Sequence, residues 1–179
     1  MTAGEHYLHD AVKEFRKMKA LAERTLAQVS EAQLFREIGA ESNSLAVIMK
    51  HMAGNMRSRW TNFLTSDGEK PNRQRDTEFE LETADTKAAL LEHWEDGWRR
   101  VFAAVEPLSC DDLLRPVVIR GETHTVLQAI NRQLTHYSQH VGQILFLAKH
   151  LAGDKWVSLS IPRGKSEEFS ERMTKKDKE

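Results

Sequence analysis

The chain has 179 residues, 40% hydrophobic and 30% charged, with a formal net charge of -1. That is enough chain for one domain with a packed core, and too little positive charge for a nucleic-acid binder that works by bulk electrostatics. A single cysteine, Cys110, excludes an internal disulfide framework, and no apolar run approaches the roughly 18 residues that span a bilayer.

The start, Met1-Thr2-Ala3-Gly4-Glu5-His6, has no basic stretch followed by an apolar run. No signal peptide is expected, and with one cysteine the expected compartment is the cytoplasm. From about His6 to Val29, Leu8, Val12, Phe15, Met18, Ala22, Leu26 and Val29 recur in steps of three and four, which predicts an amphipathic helix. Ser42-Asn43-Ser44 offers N-cap chemistry for a second helix, whose stripe runs Leu45, Ile48, Met49, Met52, Met56, Trp60, Phe63 and Leu64. The polar stretch Asp67 to Asp76 predicts a loop.

A third stripe follows at Leu91, Trp94, Trp98, Val101, Phe102, Val105 and Leu108, weakened by Gly97. Ser109-Cys110-Asp111-Asp112 reads as a helix start, and Pro116 to Thr125, with β-branched residues around Gly121, reads as a short β-hairpin. The fourth and longest stripe is Ile130, Leu134, Tyr137, Val141, Ile144, Ala148 and Leu151, with Gly153 as its stop. Residues 154–179 form a C-terminal extension, irregular after Trp156 and frayed over Met173 to Glu179. Long stripes with few strands indicate a helical bundle over residues 1–153.

Within the fourth stripe, His136 and His140 stand four residues apart. Four residues are about 400° of helix and about 6 Å of rise, so both imidazoles occupy one face, one turn apart. That spacing suits two ligands of one metal ion, though by itself it suits a surface pair or two hydrogen-bonded rings equally well. Gln133, His136, His140 and Gln143 make a polar strip beside the apolar one. His51, at the border of the second stripe, would complete a three-histidine set with an open position, the arrangement of a catalytic rather than a structural ion. Tyr137 follows His136 where a zincin would carry its glutamate, which removes that protease's general base. There is no Walker loop, dinucleotide glycine fingerprint or G-x-S-x-G, and Cys110 has no basic neighbour to activate it.

Met49-Lys50-His51-Met52-Ala53-Gly54-Asn55, followed by His136-Tyr137-Ser138-Gln139-His140-Val141-Gly142-Gln143-Ile144, resembles the DinB/YfiT-like superfamily of metal-dependent enzymes. Arg59-Trp60-Thr61-Asn62-Phe63-Leu64, Asp67-Gly68-Glu69-Lys70-Pro71 and Leu159 to Ser166 look like a branch of it with no assigned function. The resemblance covers most of the chain. It implies an all-α fold, a four-helix bundle of up-down-down-up type, usually a homodimer. It also implies a divalent transition metal on His51, His136 and His140: zinc or nickel first, then iron, manganese or copper.

Members with known chemistry resemble transferases that use low-molecular-weight thiols such as bacillithiol, mycothiol or glutathione. The resemblance thus implies a metal-dependent thiol S-transferase whose partners are a small-molecule thiol and an electrophile, with neither nucleic acid nor membrane. Asn55 and Arg59, one and two turns beyond His51, are candidate substrate contacts, as are Arg163 and, more weakly, Arg132. The alternatives are a metal-dependent hydrolase and a non-catalytic, metal-binding, stress-associated dimer. The four tryptophans Trp60, Trp94, Trp98 and Trp156 suggest that some serve an interface.

Overall fold

Thr2 starts the first helix, α1 (Ala3–Leu26): its Oγ1 accepts from the Glu5 N–H while the Glu5 carboxylate accepts from the Thr2 N–H. The same reciprocal cap starts a short helix, α2 (Glu31–Leu34), at Ser30 with Gln33. The chain is described by a computed structural model over residues 1–176. Ser44 caps α3 (Leu45–Trp60) and Thr86 caps α4 (Lys87–Val105). Cys110–Asp112 is a single 3-10 turn, not the start of a helix. A two-stranded antiparallel sheet follows, β1 (Pro116–Ile119) and β2 (Glu122–Thr125), and then α5 (Val126–Ala152). Gly153, at φ 56°, ends α5.

The protein is therefore mostly helical with one small sheet among the described residues. The four long helices pack side by side: α1 on α5, α3 on α4, with further contacts of α3 with α5 and of α1 with α4. Each sends one aromatic ring to the centre. Phe15 of α1 lies 6.0 Å from Trp60 of α3, 6.4 Å from Trp98 of α4 and 6.0 Å from Tyr137 of α5, centroid to centroid. Such tilted pairs contribute about 0.5–1.5 kcal/mol each beyond burial.

One expectation is narrowed here and two are corrected. Trp60, Trp94 and Trp98 are 0–3% exposed and fill the core, which leaves only the half-buried Trp156 of the four for an interface. On α4 the apolar face runs through Leu90, not Leu91, which is 40% exposed. The C-terminal extension is not irregular throughout: Ser166–Lys176 forms a helix, α6. Residues 177–179, part of the stretch expected to fray, lie outside the described residues. No helix among the described residues is long and apolar enough to cross a membrane.

The hairpin positions the site's outer wall. Its two-residue turn, Arg120–Gly121, has φ of 56° and 75°, the doubly left-handed turn that matches strand twist. Arginine in that conformation costs roughly 1–2 kcal/mol. Asp67 offsets this: its two carboxylate oxygens accept from the Arg120 and Gly121 N–H groups, both at 2.8 Å. The Gly68 N–H donates to the Val118 carbonyl at 2.8 Å. The loop after α3 is thereby tied to the hairpin before α5.

Candidate metal centre

The packing of α3 beside α5 brings His51 to His136 and His140. One ligand atom from each lies within 4.8 Å of the others. His136 Nε2 and His140 Nε2 are 3.1 Å apart, close to the spacing of two nitrogens bound about 2.1 Å from one ion. The His51 ring is 4.9 Å from that of His140 and 5.6 Å from that of His136. His51 is buried and the other two are half-buried.

Each ring's orientation has a cause. His51 Nδ1 is 2.9 Å from Glu78 Oε2. A carboxylate only accepts, so Nδ1 donates to it, which leaves Nε2 as the ring nitrogen free for the cluster. His140 Nδ1 is held in the same way by Gln143 Oε1 at 2.8 Å. Arg73 forks onto Glu78, Nε to Oε1 and Nη2 to Oε2, both at 2.7 Å, and its Nη1 donates to Glu69 Oε2 at 2.9 Å. Burial works against the Glu78 charge, yet the bonds from His51 and Arg73 outweigh it and hold the carboxyl below its usual range. Gly54 makes room: a Cβ there would stand 2.4 Å from Glu78 Oε1. Phe79 covers the His51 ring at 4.7 Å, and Arg75 sits over Phe79 at 5.0 Å.

Burial, with His140 and His51 adding to it, pushes the His136 pKa down to about 3. Burial also lowers His140, against an opposing bond from Gln143. Both are thus neutral imidazoles at physiological pH, the form that binds metal.

A cleft of about 570 Å³ opens beside His51 and His136. Asn55, Arg59, Arg120 and Arg132 line it, as do Arg73 and Arg75 from the loop after α3. The structure therefore brings Asn55, Arg59 and Arg132 to the three histidines. It does not bring Arg163, which is exposed and absent from the cleft lining. The reason is that α5 continues from His140 to Ala152, about 18 Å of helix. Past that end, Val157 is held by both amide atoms of Gln28, beyond the end of α1.

A family model described as a protein of unknown function, DUF1572, matches residues 2–165. The chain belongs to the DUF1572 family. DUF1572 is in the DinB/YfiT-like group. No curated protein and no solved structure matched the chain.

In this DUF1572 chain the residues fit a metal ion on their own chemistry. Three imidazoles converge, two of them, His136 and His140, held neutral by burial, and carboxylate and amide partners orient two of the rings, as in metal sites generally. No fourth histidine, cysteine or carboxylate joins the group among the described residues. Sequence reading missed Glu78 and Arg73 as partners of the centre. Glu78 lies in a 3-10 turn, Asp76–Phe79, and Arg73 in the loop before it, 27 and 22 positions beyond His51, where no periodicity marks them. It also took Tyr137 as core alone. Tyr137 is buried, but its hydroxyl accepts from Trp60 Nε1 at 3.0 Å and donates to Asn55 Oδ1 at 3.1 Å.

Proposed function

We propose that this protein is a metal-dependent enzyme that transfers a low-molecular-weight thiol to small electrophiles. The single observation that carries the reading is the open cleft beside a three-histidine group that no fourth protein ligand joins among the described residues. A structural site would be closed. His51, His136 and His140 would hold a divalent ion, zinc or nickel first, with iron, manganese or copper as further options. Bound there, the ion supplies Lewis acidity, which lowers the pKa of a substrate thiol so that it reacts as thiolate at neutral pH.

The chain's own residues do the rest. Glu78 and Gln143 fix the imidazoles. Asn55 and Arg59 orient the substrates from the cleft wall, and Phe79 shields His51 from water. A hydrolase reading is weaker, because the buried carboxylate nearest the histidines, Glu78, is committed to His51 and Arg73 and is no free base.

The contacts of α3 with α5 are compatible with an up-down-down-up four-helix arrangement, and the resemblance to the DinB/YfiT-like superfamily is what suggests a homodimer, working in the cytoplasm. Light scattering should give twice the 20.5 kDa chain mass. The decisive experiment is turnover: metal-loaded protein with bacillithiol, mycothiol or glutathione and a model electrophile. Transfer that disappears in His136→Ala and His140→Ala supports the reading. No transfer with any thiol, in protein loaded with each of the metals named, rejects it.

A further inference from the structure

The cleft carries more positive charge than its partners balance. Five guanidinium groups line it, those of Arg59, Arg73, Arg75, Arg120 and Arg132. Their ion-pair partners are three carboxylates, Glu69, Glu78 and the fully exposed Asp76, which leaves an excess of two. One oxygen, Glu69 Oε2, is shared at 2.9 Å by Arg73, at 3.5 Å by Arg120 and at 4.0 Å by Arg59. Asp67 nearby has its oxygens engaged by the backbone N–H groups of Glu69, Arg120 and Gly121.

Arg59 is the unusual member. It is 2% exposed, and its Nε and Nη1 have no hydrogen-bond partner. An under-paired buried charge is expensive to keep, and a hydrophobic side chain of similar size would generally be more stable there. The chain nevertheless builds a seat for it. Gly68 packs against the guanidinium so closely that a Cβ would stand 2.4 Å from Nη1. The Ser58 hydroxyl donates to the Gly68 carbonyl at 3.0 Å and locks that loop.

Asn55 is aimed by a hydrogen-bond chain that runs from Trp60 through Tyr137. Trp60 Nε1 can only donate, so the Tyr137 oxygen accepts from it and the Tyr137 proton goes to Asn55 Oδ1. The Asn55 amide N–H2 is left over, and Asn55 lines the cleft.

We infer that the floor of this cleft is an oxyanion subsite, in which the Arg59 guanidinium and the Asn55 amide hold a carboxylate or phosphate of the small-molecule ligand. Arg120 and Arg132 stand exposed at its mouth and draw the anion in. Asn55 and Arg59 lie one and two turns beyond His51, about 6 and about 12 Å along α3. The ligand is accordingly a short acid with its reacting end at the histidines and its anionic end one to two turns away. The inference deepens the function proposed above and uses the same cleft, but its test needs no metal.

Metal-free protein is titrated calorimetrically with inorganic phosphate and with succinate, against sodium chloride of equal ionic strength. One saturable site is expected for an oxyanion and none for chloride, and the tighter of the two names the source. Arg59→Met should weaken binding about tenfold or more, the worth of a charged hydrogen bond. It should not lower the anion-free thermal midpoint, as loss of a structural ion pair would. Should Arg59→Met fail to fold, Asn55→Asp keeps the shape and the Tyr137 bond, puts a negative charge on the floor, and should likewise cost about tenfold. Oxyanion binding no better than chloride, or undiminished in these variants, overturns the subsite. Oxyanion binding without thiol transfer rejects only the proposed reaction, and thiol transfer without oxyanion binding rejects only the subsite.

Discussion

Glu78 keeps its charge in a buried place because two donors, the His51 ring and the Arg73 fork, face it. Glu78→Gln leaves the shape but brings an N–H2 where His51 and Arg73 both need an acceptor. Metal affinity should fall about 10- to 100-fold, as for other partners of ligating histidines, with the helical circular dichroism unchanged. Titration with zinc would read this, and unaltered affinity would remove Glu78 from the centre. His136 makes a second prediction. The unfolded chain takes up a proton near the ordinary 6.5, whereas the folded ring, pushed down to about 3, refuses it until then. The neutral ring's share of stability is whole above pH 6.5 and is lost as pH falls towards 3. Metal-free protein should therefore lose thermal stability between about pH 7 and about pH 4, and His136→Leu should flatten that slope. Parallel slopes in the two proteins would show that the ring is not held neutral.

Helix α4 contains a residue that helix propensity disfavours, and the pair α3 and α4 explains it. A Cβ on Gly97 would lie 3.0 Å from Met56 Sδ, 3.1 Å from Met56 Cβ and 3.4 Å from the Ala53 Cα. Alanine would gain up to about 1 kcal/mol of propensity. Crowding a packed interface costs about 1–3 kcal/mol. Crowding should win, because Ala53 offers backbone and Met56 Cβ cannot swing aside. Gly97→Ala is expected to lower stability by about 1 kcal/mol in urea unfolding. A more stable variant would mean that α3 and α4 are free to separate. The hairpin β1–β2 acts at this level too: its turn is clamped by Asp67, so it carries Arg120 to the cleft mouth and ties the loop after α3 to the entry of α5.

The four long helices are held at one point by Phe15, Trp60, Trp98 and Tyr137, one ring from each. Two of the metal-centre histidines flank Tyr137 on α5 and the third shares α3 with Trp60, so the core sets the distance between the ligands. An ion bound across α3 and α5 adds a link between them. Zinc or nickel at 100 times the dissociation constant should stabilise the fold by about 2.7 kcal/mol, read as a raised thermal midpoint that a chelator reverses. His136→Ala with His140→Ala should abolish that rise while leaving the helix signal intact, since both residues lie beside the buried stripe. A rise that persists in the double variant would place the ion elsewhere.

Periodicity made α1, α3, α4 and α5 legible, because a helix needs only residues three and four apart to agree on a face. The pairing of His136 with His140 was legible for the same reason, and so was the hairpin, whose β-branched residues and Gly121 are neighbours in sequence. The short helix α2 and the terminal α6 were not read, since four and eleven residues carry little periodic signal. The seating of His51 against α5, the carboxylate of Glu78 behind it and the burial of Arg59 beside Gly68 depend on contacts between residues far apart in the chain. So does the burial of Trp60, Trp94 and Trp98 in the core, which leaves Trp156 alone of the four tryptophans half-buried. Local preference acts within a few residues along one chain segment. Which segments meet, and which charged groups are buried when they do, follows from how the helix faces pack around Phe15 and how the loops are tied down over them.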